Sequence, residues 1–213
     1  MPETKRKLVE AGVALMRKQG FNATTLDDIC SAAGVTKGSF FHYFKSKQEV
    51  AEAAVASFRE GKVQDFANAP FRKMADPLDR IFGRLDFVLT STGGAGDSTK
   101  GCLIGMFAQE LAATNPELRG LCQAAFLRTA ADIEADLTEA KALHAPNAAF
   151  DPKKVSLFYV SIIQGGLLVA KAGESNAVLR DNVEQFRSYV QGLFGVAGRP
   201  QPVMTAGTST SNF

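Results

Sequence analysis

The residues able to do chemistry fall in two places. Thr36-Lys37-Gly38-Ser39-Phe40-Phe41-His42-Tyr43-Phe44 is followed closely by Lys47. Much farther along stand Cys102, within Lys100-Gly101-Cys102-Leu103, and Lys171, a lone cation after the apolar run 165–170. The first group carries ammonium, hydroxyl, imidazole and phenol donors, which suit phosphates and base edges. The second offers a thiol. In the first turn of a helix and beside a lysine, a thiolate is stabilised and its reactivity raised. Catalysis by that thiol would also need a base. The histidines are His42, inside the donor run, and His144, in a polar loop. No paired carboxylates, metal-ligand spacing or phosphate loop accompany them. A cysteine-dependent enzyme is therefore the minor reading, and no metal or cofactor is expected. Cys30 and Cys122 read as small buried hydrophobes.

The elements that must position these groups are helical throughout. Leu8, Val9, Val13, Leu15 and Met16 recur at helical spacing over 5–19, and Gly20 ends that helix. Thr25-x-x-Asp28 and Ser46-x-x-Glu49 are capping boxes, and Thr36 caps the helix between them. Asp76-Pro77, Asn115-Pro116 and Asp151-Pro152 each put a capping residue before a proline at the first helical position. These signals predict nine helices, with stops near 19, 66, 90, 113, 142, 172 and 194, and a loop over 91–98. Ala33-Gly34-Val35-Thr36 has the length and the glycine of a helix-turn-helix corner. Leu26, Ile29 and Ala33 then face inward from one helix, and Phe40 and Phe44 from the next. The donor run is left on the outer face, with small residues at its start that let the backbone approach base edges.

The whole chain carries a formal charge of +2, unevenly spread. Residues 1–47 hold eight Lys/Arg against four acids, and the remainder sixteen against eighteen. A basic head on a slightly acidic body suits a polyanionic partner. The amino terminus is polar and no apolar run approaches the roughly 20 residues of a membrane helix. Three cysteines without framework spacing fit a reducing compartment. A cytoplasmic protein without a membrane partner is expected. The tail 197–213, rich in Pro, Gly, Ser and Thr, is expected to be disordered.

The stretches GFNATTLDDI, AAGVTKGSFFHYF and KSKQEV resemble the amino-terminal domain of the TetR family of bacterial repressors. The resemblance implies an all-α homodimer with a DNA-binding head (1–47) and a ligand-binding, dimerising body (48–196). It implies DNA contacts by Thr25, Thr36, Lys37, Gly38, Ser39, Phe41, His42, Tyr43 and Lys47. Position 41 is usually tyrosine in that family. Phe41 lacks the hydroxyl for a phosphate but retains an apolar surface for a thymine methyl. The expected dimer seam lies on the last two helices, at Phe158, Ile162, Gly166, Phe186 and Val190. A pocket for a small-molecule inducer is expected among Phe82, Leu85, Met106, Phe107 and Phe126. GCLIGMFAQELAATNPELR resembles the body of a subgroup that senses electrophiles and oxidants through a cysteine, which would make Cys102 a sensor thiol and Lys171 its neighbour. The expected function is a repressor released from a palindromic double-stranded operator by a small molecule or by modification of Cys102. An activator of the same fold is the alternative.

Overall fold

The computed structural model describes residues 1–93 and 101–196. Among them are nine α-helices: α1 Glu3–Gln19, α2 Leu26–Ala33, α3 Lys37–Tyr43, α4 Lys47–Ala67, α5 Pro77–Gly93, α6 Leu103–Leu111, α7 Pro116–His144, α8 Pro152–Gly173 and α9 Ala177–Phe194. A short 3-10 turn, Pro70–Lys73, was not anticipated. The tail 197–213, the second part of the 91–98 loop and Lys100 lie outside the described residues.

Local chemistry sets most boundaries. Thr25 and Asp28 satisfy each other's backbone N–H in a reciprocal box. At Ser46 the reciprocity is shifted: its hydroxyl accepts from Glu49 N–H, while the Glu49 carboxylate reaches Lys45 N–H one residue earlier. Asn115 and Asp151 cap α7 and α8, each before a proline. Gly34 ends α2 at φ 66°, a left-handed conformation that side-chain-bearing residues rarely adopt.

Two apolar cores hold the helices together. One joins α1–α4 to α6 and the start of α7, through Leu8, Ile29, Phe40, Val50, Phe107 and Cys122. The other joins α5, α8, α9 and the later part of α7. The first core runs straight through the expected 47/48 boundary. Burying Phe40 there contributes about 1.5–3 kcal/mol relative to exposing it.

α8 corrects one expectation, since by length and composition it is apolar enough to cross a membrane. Its apolar residues also serve the bundle, with Val155, Tyr159, Ile163, Leu167 and Ala170 buried against neighbouring helices. Gly166 has the same inward use. A Cβ there would sit 2.9 Å from a Leu179 methyl, so the glycine lets α9 approach within one chain. Phe186 and Val190 are likewise internal. Of the five seam residues expected from sequence, only Phe158 and Ile162 retain an outward surface.

Candidate nucleic-acid interface and ligand cavity

α3 is held to the core by Phe40 and Phe44. That anchoring turns the rest of the helix outward. Thr36, Lys37, Gly38, Phe41 and His42 are exposed, and Ser39 and Tyr43 are half-buried. Thr36 caps the helix by accepting from Ser39 N–H at 3.2 Å. The Lys37 ammonium sits 2.8 Å from Asp27 Oδ1, and that hydrogen bond pushes its pKa up. His42 and Tyr43 stack edge to face at 4.7 Å, which orients both rings. Phe41 is 55% exposed, a large apolar surface in water. Seven helical residues span roughly 10 Å, short enough to lie across a DNA major groove about 12 Å wide. Thr25 is also exposed, at the start of α2, with its hydroxyl engaged by the capping box.

Lys47 does not join this face. Its Nζ donates to the carbonyls of Phe21 and Thr24, both at 2.7 Å, and lies 4.2 Å from the centre of the Phe21 ring. Burial pushes its pKa down. In this structure Lys47 thus clamps the 20–24 loop. The same loop is also held by Glu110, whose carboxylate accepts from Phe21 N–H at 2.8 Å and Asn22 N–H at 2.7 Å. Glu110 lies at the end of α6 and drew no notice in the sequence.

A cavity of about 770 Å³ opens between α4, α5, α7 and α8 and reaches the start of α6. Of the residues expected to line a pocket, Phe126 borders this cavity. Phe82, Leu85 and Phe107 do not, because they are spent in the two cores, Phe107 against Phe21 at 6.2 Å. Met106 points elsewhere, its sulfur 3.1 Å from Lys171 Nζ. The walls missed by sequence are Phe58 and Phe66 on α4, Ile104 on α6, and Tyr159 and Ile163 on α8.

Cys102 also lines the cavity, half-buried. It is the residue before α6 (φ −93°), not a member of its first turn. Lys171 packs against Gly101, the residue before this thiol. Its Nζ donates to Arg17 O at 3.1 Å, tying α8 to the end of α1, and burial lowers its pKa. Arg17 in turn donates to Gly101 O at 3.0 Å. Burial pushes the Cys122 thiol up to about 11 and also raises that of Cys30.

A ladder of charges joins α5 and the 3-10 turn to α7, and part of it, Arg72, Arg84 and Asp132, lines the cavity. Asp132 bonds both Arg72 and Arg84, and Arg80 bonds Asp136 and Glu139. Arg84 is 1% exposed, sandwiched against the rings of Phe66 and Phe71. The signal was visible as Arg80/Arg84 and Asp132/Asp136 at a spacing of four.

The outward α3 face and its helix-turn-helix frame match the family model of bacterial regulatory proteins of the tetR family over residues 8–54. Residues 88–185 match the carboxy-terminal domain of LmrA/YxaF-like transcriptional regulators. The chain belongs to the TetR family. Relatives of this TetR-family regulator include the uncharacterized HTH-type transcriptional regulator YxaF of Bacillus subtilis, 23% identical and covering 86% of this chain and 93% of YxaF. The HTH-type transcriptional repressor DhaR of a Mycobacterium species is 24% identical, covering 87% of this chain and 89% of DhaR. Among solved structures, a TetR regulatory protein from Rhodobacter sphaeroides superposes with a TM-score of 0.77 at 25% identity, covering 86% of this chain and 97% of that one.

Proposed function

We propose that this TetR-family regulator is a cytoplasmic homodimeric repressor that binds a palindromic operator through α3 and leaves it when a small molecule fills the cavity. The observation that carries the reading is the placement of α6. Its start meets the cavity at Cys102 and Ile104, and its end holds the head through Glu110. A ligand that prefers one position of α6 therefore biases the head by its differential affinity. Dimerisation supplies the second half-site. The surface we assign to it is the outer side of α8 and α9, where Leu157, Phe158, Leu168, Val169 and Tyr189 are exposed and Phe158 packs edge-on to Tyr189 at 5.5 Å. Selection of bound sequences from random duplexes tests the reading. Recovery of an inverted repeat supports it, and recovery of no motif overturns it.

Glu110→Gln probes the link directly. The amide retains one acceptor oxygen but sets an NH2 group against a backbone N–H that the carboxylate now satisfies. A loosened head is correctly oriented for less of the time, and apparent affinity falls with that fraction. Operator affinity measured by fluorescence anisotropy is expected to drop about tenfold, the scale of a coupling of 1–3 kcal/mol. Unchanged affinity would remove α6 from the route.

A second input is favoured by Cys102 in the cavity wall, since an adduct on that thiol would occupy the ligand's space. N-ethylmaleimide is expected to release the operator from the parent protein and not from Cys102→Ser. Equal release from both assigns the effect to another thiol.

A further inference from the structure

The charge on the cavity wall specifies what the cavity takes. Arg17, Arg59, Lys62, Arg72, Arg84 and Arg128 line it, and Asp132 is the acid among the described lining residues. Asp132 is already bonded by two guanidinium groups. Across the whole ladder, Arg72, Arg80 and Arg84 are balanced by Asp132, Asp136 and Glu139. Arg17 is tied to Gly101 O. Among the described residues the surplus is therefore Arg59 on α4 and Arg128 on α7. Lys62 stands beside them and pairs with Asp65 of its own helix at 3.7 Å. These side chains are half-buried or exposed, which puts them at the solvent edge of the cavity. Most of the remaining wall is apolar, from Phe58 and Phe66 through Val88 and Ile104 to Ile163 and Leu167, with Ser91, Thr129 and Gln164 among its neutral polar members. The Phe58 ring lies under both Arg17 and Lys62, at 5.5 and 5.9 Å, so cationic and apolar surfaces adjoin.

We propose that the cavity binds an amphipathic organic anion, a carboxylate on an apolar body, with the carboxylate at Arg59, Lys62 and Arg128 and the body among the aromatic and aliphatic walls. The assignment rests on the reading of this cavity as the inducer site. A cation would meet uncompensated like charge, and a neutral molecule of the same shape would leave the surplus cations unpaired. The volume of about 770 Å³ accommodates such a molecule whole.

Calorimetric titration of the full-length protein with matched probes tests this: decanoate and naphthoate, decanol and naphthol, and decyltrimethylammonium. The acids are expected to bind about tenfold or more tightly than the alcohols, the scale of one hydrogen bond to a charged group. That preference should shrink as salt rises and vanish in Arg59→Gln/Arg128→Gln, whose changes lie at the surface and leave the cores intact. Equal binding of acids and alcohols, tighter binding of the cation, or no binding by any probe overturns the anion assignment. Anisotropy on the selected operator separates the two levels. If the acids bind with the predicted preference but do not release DNA, the ligand class stands and the induction reading falls. If the alcohols bind as well as the acids and release DNA, induction stands and the anion falls.

Discussion

Lys37→Ala/Tyr43→Ala is expected to weaken operator binding by about 100-fold, on the basis of 1–3 kcal/mol for each lost contact. Both side chains lie on the outward part of α3, Lys37 exposed and Tyr43 half-buried. The fold survives their loss because α3 is retained by Phe40 and Phe44, which the variant keeps. The Lys37–Asp27 pair is exposed at the surface, and pairs of that kind contribute little. A protein that still sediments as the parent does but no longer holds the operator places the loss in recognition. If Lys37 meets a phosphate, the slope of log affinity against log salt should fall by about one. Retained affinity with an unchanged slope would show that DNA is not read by this face.

Asp132→Ala is expected to lower stability by about 3 kcal/mol, because it strips the nearest partner from a buried guanidinium. Arg84 is 1% exposed, and with Asp132 gone its closest carboxylate is Asp136 at 3.9 Å. That distant partner keeps the cost at the low end of the range for a broken buried pair. For a chain of this length the loss corresponds to a fall in Tm of about 10 °C at fixed protein concentration. The acid dependence carries a definite sign. Burial alone would raise the Asp132 carboxyl, but Arg84 and Arg72 outweigh it and hold it below the ordinary range. A depressed carboxyl contributes stability that is present above its unfolded pKa of about 3.9 and lost as pH falls through the folded value. The gap between parent and variant should be full at neutral pH and narrow below about pH 4. An unchanged Tm, or a gap that persists in acid, would show that Arg84 does not depend on Asp132.

How much of this could be read from sequence depended on the range of the interactions. The α3 face was legible because Phe40 and Phe44, four apart, fix which side goes in, and everything between them follows. Thr25, Thr36, Asn115 and Asp151 were legible because a cap is satisfied within three residues. Lys47 was not, because its partners are carbonyls of Phe21 and Thr24, backbone atoms that no residue type marks. The cavity was missed for a different reason. Core and cavity walls have the same composition, and whether Phe107 or Phe126 borders a void is decided by the spacing of whole helices. Gly166 misled in the same way, since a small residue permits close approach equally to a neighbouring helix and to a second subunit.

The continuity of the first core sets a rule for recombination. Val50, Ala51, Ala54 and Val55 on α4 share that core with Leu8 and Phe40 of the head and with Leu103 and Phe107 of α6. A chimera joined at the start of α4 would cut a packed interior where sequence suggested a seam. The portable unit is the head together with α4 and the facing side of α6, and new operator specificity is better grafted onto the outer residues of α3 than exchanged with the whole head.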